Sequence, residues 1–105
     1  MSPKKVFLYA EYQVSIPFGN IDWHAVNPQM QKFPGLRSKT WLSGVNTHSV
    51  GGFYEFDSLE NARRYVDEML LPFAAKVQGS LSVRLFDGDV TADASTGMAS
   101  PFYSR

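Results

Sequence analysis

Two histidines, one arginine within a strand and a set of aromatic side chains are the residues here whose types could do chemistry. His48 lies in a polar stretch, Ser43 to Ser49, of hairpin-loop length. A neutral imidazole there could take a phenolic or enolic proton near neutral pH, or it could simply bond to backbone at the hairpin mouth. His24 follows Trp23 on a predicted helix, where it could face a pocket beneath that helix or sit on its surface with no role. Arg84, in the middle of the last predicted strand, could stabilise an anionic intermediate. Its alternative is a charge pair or network with Glu11 of the first strand at a subunit interface, where the two strands can share a sheet without being neighbours. Trp41 offers a flat wall with one N–H donor for a planar ligand, or a core or interface indole. Tyr12 and Tyr54 could orient a substrate through their hydroxyls or bond to backbone, and Trp23 and Phe18 complete the candidate substrate-binding set. The candidate catalytic residues are thus His48, His24 and Arg84.

Other chemistries have no foothold. The chain contains no cysteine, which removes disulfides, thiolate nucleophiles and most zinc or iron–sulfur sites. The histidines are far apart, and no carboxylate joins either at metal-ligand spacing, so no metal is expected. Haem held by one histidine is a minor alternative. No nucleophile elbow or carboxylate dyad is visible, and Gly51-Gly52 lacks the following helix that a phosphate cradle needs.

These residues must be positioned by one small domain, since 105 residues are too few for two. Apolar residues make up 44% and aromatic ones 14%, more rings than so small a core needs, so some should line a pocket or an interface. Ten basic and ten acidic residues cancel, and no basic stripe concentrates them, which argues against nucleic-acid or membrane-surface binding. No apolar run approaches the roughly 18 residues of a membrane span and no signal-peptide core is present, so a cytoplasmic protein is expected.

Val6 to Val14 reads as a strand covered on both faces, followed by a turn over Ser15 to Gly19. Asn20 or Asp22 could cap a helix to about Phe33, kinked at Pro28 or restarting there with Asn27 as cap. Trp23, Val26, Met30 and Phe33 form its apolar stripe, and Pro34-Gly35 ends it. Leu36 to Leu42 alternates as strand two, with Arg37, Lys39 and Trp41 on one face. Strand three runs from about Val50 to Phe56, and Gly51-Gly52 leaves a gap in its side-chain layer that permits a bulge or close approach of a ligand or backbone. Asp57 and Glu60 have capping-pair spacing, with Ser58 a second possible cap. The helix that follows should break at Pro72, and a short turn from Phe73 to Val77 should end at Gly79. Leu81 to Phe86 makes strand four. Residues 1–90 form the predicted domain, and 91–105 a tail that is flexible or packed on a partner subunit.

Strand, helix, strand, strand, helix, strand is the βαββαβ order of a ferredoxin-like α+β fold with a four-stranded antiparallel sheet. Two helices cover one face of such a sheet. A second copy is the simplest cover for the other, which predicts a homodimer.

On these elements the chain resembles the YdhR family of monooxygenases, in the dimeric α/β-barrel superfamily. The resemblance is carried by Pro17-Phe18-Gly19, Pro34-Gly35, Lys39, Trp41, His48, Gly51-Gly52, Tyr54-x-Phe56, Ala62, Tyr65 and Phe86-Asp87. It implies a homodimer with an aromatic-lined cavity between sheet and helices, and it places a hairpin histidine at His48. The superfamily includes cofactor-independent oxygenases of polycyclic phenols, haem-degrading enzymes and cyclising or isomerising enzymes. The expected function is therefore a cofactor-independent monooxygenase that removes a proton from a planar phenolic or enolic molecule. The alternatives are a cyclase or isomerase on a similar polyketide-like substrate, or a non-catalytic dimeric small-ligand-binding protein.

Overall fold

In the computed structural model, which describes residues 2–14 and 16–103, four strands form one antiparallel sheet. They are β1 (Val6–Gln13), β2 (Leu36–Ser43), β3 (Ser49–Phe56) and β4 (Ser80–Asp87), in the spatial order β2-β3-β1-β4. With β1 and β3 central, this is the ferredoxin-like arrangement that the element order predicts. β1 and β4, whose pairing the sequence left open, are direct neighbours, and Tyr9 stands opposite Arg84. Within one chain the Tyr9 hydroxyl donates to Glu11 Oε1 at 3.0 Å, and among the described residues no ion pair joins Glu11 to Arg84.

Alternation decides which side chains meet the helices. Val6, Leu8, Ala10 and Tyr12 of β1 and Tyr54 and Phe56 of β3 are buried in the core. Helix α1 (Trp23–Gln31) starts at Asp22, whose carboxylate accepts from the Ala25 amide. Pro28 lies within it without a restart, because Asn27 caps nothing and instead accepts from the Trp41 indole N–H at 3.0 Å. Met30, Val26 and Phe33 pack on the core as the stripe predicts, whereas Trp23 is 39% exposed.

Helix α2 (Leu59–Tyr65) is capped by Ser58, whose hydroxyl accepts from the Asn61 amide; Asp57 binds the Asn61 side chain instead of closing a box with Glu60. The expected break at Pro72 is absorbed rather than made. A π-helical turn, Val66–Leu70, links α2 to α3 (Leu71–Val77), and Pro72 falls in the first turn of α3, where a missing N–H does least harm. Gln78, left-handed at φ 55°, ends α3 one residue before Gly79, whose N–H reaches Ala74 O at 3.1 Å.

The other sheet face carries ions and the end of the chain. Glu55, 2% exposed, accepts from Lys5 Nζ at 2.9 Å and Arg37 at 3.1 Å. A bulge between Leu36 and Ser38 breaks the simple alternation of β2, so Leu36, not Arg37, packs against the core. Beyond β4 the chain forms α4 (Ala92–Gly97) and a 3₁₀ turn, Pro101–Tyr103. This segment folds back on its own sheet: the Phe102 ring lies 5.6 Å from Phe7 and 5.4 Å from Phe53, and the Tyr103 hydroxyl donates to Gly88 O at 2.7 Å. Lys5 Nζ ties it down by donating to Phe102 O at 2.7 Å. Ser15 of the predicted turn and Ser104 and Arg105 of the predicted tail lie outside the described residues.

The aromatic contacts should make this tail a stability element. Phe102→Ala is expected to cost about 2 kcal/mol and Tyr103→Phe about 1 kcal/mol in urea unfolding. No loss from either would mean that the segment does not hold the sheet in solution.

Candidate active site

Between the inner sheet face and the helices lies a cavity of about 280 Å³. That is at the lower edge of the roughly 300–1,000 Å³ of ordinary small-molecule sites, which suits a small planar ligand. β1 contributes Tyr12, β2 Lys39 and Trp41, β3 Tyr54, α1 Met30, and the second helical layer Tyr65 and Phe73. Its side chains with polar atoms are tyrosines, lysines, Trp41 and a glutamine, and among the described residues no acidic one lines it.

Lys39 is the residue whose state this environment changes most. Its Nζ sits 3.3 Å from the Trp41 ring centroid, 4.9 Å from that of Tyr54 and 3.4 Å from Met30 Sδ. Among the described residues no carboxylate pairs with it. Burial therefore acts on the ammonium unopposed by a counter-ion and lowers its pKa from the usual 10.5 to about 7, with the ring faces the compensation for the charged form. Space for this side chain comes from Gly52, where an added Cβ would stand 2.7 Å from Lys39 Cε and 3.1 Å from the Tyr54 ring. The gap left by Gly51-Gly52 is thus filled by a lysine stem over Gly52 and by β1 backbone at Gly51, where a Cβ would run into Ala10 O.

The tyrosines move the opposite way. Burial pushes Tyr65 up to about 12. Tyr54 is raised well above the ordinary value, first by burial and then by the adjacent Tyr65, and Tyr12 is raised mainly by burial. All three remain protonated at neutral pH, as donors and not as bases.

The candidates from sequence separate into two groups. Trp41, Tyr12 and Tyr54 reach the cavity, but their polar atoms have partners: Trp41 N–H donates to Asn27, the Tyr12 hydroxyl to Leu70 O at 3.1 Å, and the Tyr54 hydroxyl is hydrogen-bonded to Tyr65. One face of the Trp41 ring is covered by Lys39 and its flank by Phe18, whose ring is 5.5 Å away. Phe18 and His48 line a separate recess at the hairpin mouth. His48 is exposed, with φ 49°, and its carbonyl accepts from the Val14 amide at 3.0 Å. His24 is exposed and stacked on Trp23 at 3.6 Å, neither lining the cavity. Arg84, opposite Tyr9, projects from the other sheet face. The structure does not bring His48, His24 or Arg84 together. Lys39, not chosen from sequence, carried one available signal: a cation alternating onto the Trp41 face of a strand whose partner has glycines. Among the described residues no cluster of three or more His, Asp or Glu could hold a metal ion, and no helix is long and apolar enough to cross a membrane.

A family model described as "Putative mono-oxygenase ydhR" matches residues 9–99. No curated protein matches the sequence. Among solved structures, a mutant of SnoaB, a cofactor-independent oxygenase from Streptomyces nogalater, superimposes with a TM-score of 0.56 at 16% identity. The match covers 79% of this chain and 91% of SnoaB, a likeness of fold.

Lys39 makes stability depend on pH. Its folded pKa lies below the unfolded one, so between about 7 and 10.5 the unfolded chain binds more protons and stability rises with pH. Relative to Lys39→Met, the natural protein should gain about 2 kcal/mol between pH 7 and 9. Parallel stability–pH curves for the two proteins would show that Lys39 titrates normally.

Proposed function

The chain belongs to the ydhR mono-oxygenase family, and from that premise we propose that it oxygenates a small planar phenol or enol without a cofactor, using the Lys39 amine as base. The observation that carries this reading is a lysine amine in the wall of an aromatic cavity with no carboxylate partner among the described residues. With its pKa near 7, a large share of Lys39 is free amine at neutral pH, where a general base works best.

Removal of a proton from an activated CH₂ or phenolic group leaves an electron-rich enolate and converts Lys39 to its ammonium. The new cation stabilises the new anion beside it, and the Tyr54–Tyr65 pair leaves one hydroxyl proton for the developing oxyanion. The enolate carbon transfers its electrons to dioxygen and forms a C–O bond. Loss of water from the resulting hydroperoxide gives a ketone: R₂CH₂ + O₂ → R₂C=O + H₂O. The substrate supplies every electron, which is consistent with the cofactor-independent oxygenase of similar fold.

Oxygen uptake should require a substrate such as an anthrone-like phenol, and the product should gain one oxygen and lose two hydrogens. Lys39→Met is expected to lower kcat about 10²–10⁴-fold, while His48→Ala, His24→Ala and Arg84→Ala stay close to the natural rate. Unchanged turnover in Lys39→Met would remove the base from this scheme, and a product of unchanged mass would make the protein an isomerase or cyclase.

A homodimer joined through the outer sheet faces is also part of the proposal. Phe86, 47% exposed, stands on that face opposite Phe7, against which the C-terminal Phe102 packs, and Arg84 two residues before it is exposed. Native mass spectrometry should give twice the chain mass; a monomer at micromolar concentration would refute it.

A further inference from the structure

Nothing in the base role uses the nucleophilicity of the Lys39 nitrogen. We propose that Lys39 is also a carbonyl-capture site, its amine condensing with a small planar aldehyde or ketone in the cavity to form a reversible imine.

The geometry supplies what such a reaction needs. The nitrogen stands at the cavity wall on the Trp41 and Tyr54 rings, and its remaining close contact is the soft sulfur of Met30. Among the described residues no ion pair locks it as ammonium, and no acidic side chain in the lining competes for it. The aromatic lining favours planar ligands, and the absent side chain at Gly52 leaves the lysine stem room beside β3. The lowered pKa fits this arrangement, since an ordinary exposed lysine has less than ~0.1% free amine at pH 7, whereas Lys39 has a large share. A lysine desolvated in an apolar pocket is a recognised route to an activated amine.

The step balances without an oxidant or reductant. The nitrogen lone pair adds to the carbonyl carbon, and a proton passes from nitrogen to oxygen to give a carbinolamine. Loss of water then leaves the C=N bond. Tyr54 and Tyr65 are held protonated in the same cavity and hydrogen-bonded to each other, which leaves one hydroxyl proton of the pair to donate to the departing oxygen. Hydrolysis regenerates the free lysine, so capture is reversible. This chemistry is independent of oxygen: failure to find it would leave the base role intact, and failure of the oxygenase reading would leave capture intact.

The test uses the full chain under nitrogen at pH 7, with 2-naphthaldehyde as probe and sodium cyanoborohydride to reduce any imine to a stable secondary amine. Peptide mapping by mass spectrometry then compares Lys39 with Lys4, Lys5, Lys32 and Lys76 in the same molecule. Labelling at Lys39 at least about tenfold faster than at any of the others, and suppressed by excess 2-naphthol, is the expected result. Lys39→Arg, with its fold checked by thermal unfolding, should lose that label and keep the slow surface background. Because the comparison is internal to the natural protein, it stands even if the variant does not fold. Labelling spread evenly over the lysines, or a Lys39 label indifferent to 2-naphthol, would overturn the proposal.

Discussion

An ammonium group taken out of water without a carboxylate to meet it loses solvation that only fixed, polarizable surroundings can partly return. In this fold that group is Lys39, and the surrounding architecture accommodates it. Gly52 clears the sheet surface where the lysine stem runs. Trp41 lies under the nitrogen and is itself fixed by Asn27 of α1. Met30, one turn along the same helix, closes over it. The helix that Pro28 could have interrupted therefore supplies both the anchor of the indole and the roof of the lysine site.

The two faces of the sheet treat charge in opposite ways. Tyr54 and Glu55 are successive residues of β3, so their side chains leave opposite faces. On the outer face Glu55 is nearly inaccessible yet held by Lys5 and Arg37, with the C-terminal turn above. Such a cluster is costly to break and chemically quiet. On the inner face the cation is left with rings and a sulfur, and its proton becomes labile near neutral pH. The first arrangement secures the sheet, whereas the second holds a lysine whose pKa burial lowers.

The second helical layer shows how backbone irregularity serves the same cavity. A π-helical turn ahead of Pro72 carries the chain past a residue that should have stopped it, and keeps α2 and α3 in one layer. Tyr65 precedes that turn, Leu70 ends it, and Phe73 follows. Tyr12 bonds the Leu70 carbonyl and packs edge-on to Phe73 at 5.1 Å, so the floor and lid of the cavity meet at the irregular turn.

Local chemistry in the chain was enough to determine the strands, the first helix with Asp22 as a possible cap, and their order, because alternation and helical spacing are properties of neighbouring residues. From that order follow the antiparallel sheet and a cavity wall of Trp41, Tyr12 and Tyr54. Tertiary structure alone decided the rest. The adjacency of β1 and β4 is a long-range pairing, and the fate of the C-terminal segment depended on Phe7 and Phe53 being open to receive Phe102. His48 and His24 looked reactive by residue type, but type does not specify burial, and both remain in solvent. Lys39 looked like an ordinary strand lysine until Gly52, Met30 and Trp41, distant in sequence from one another, closed around it. A side chain's intrinsic chemistry belongs to its residue, but its desolvation belongs to the neighbours that folding brings, and here desolvation lowers the pKa of Lys39.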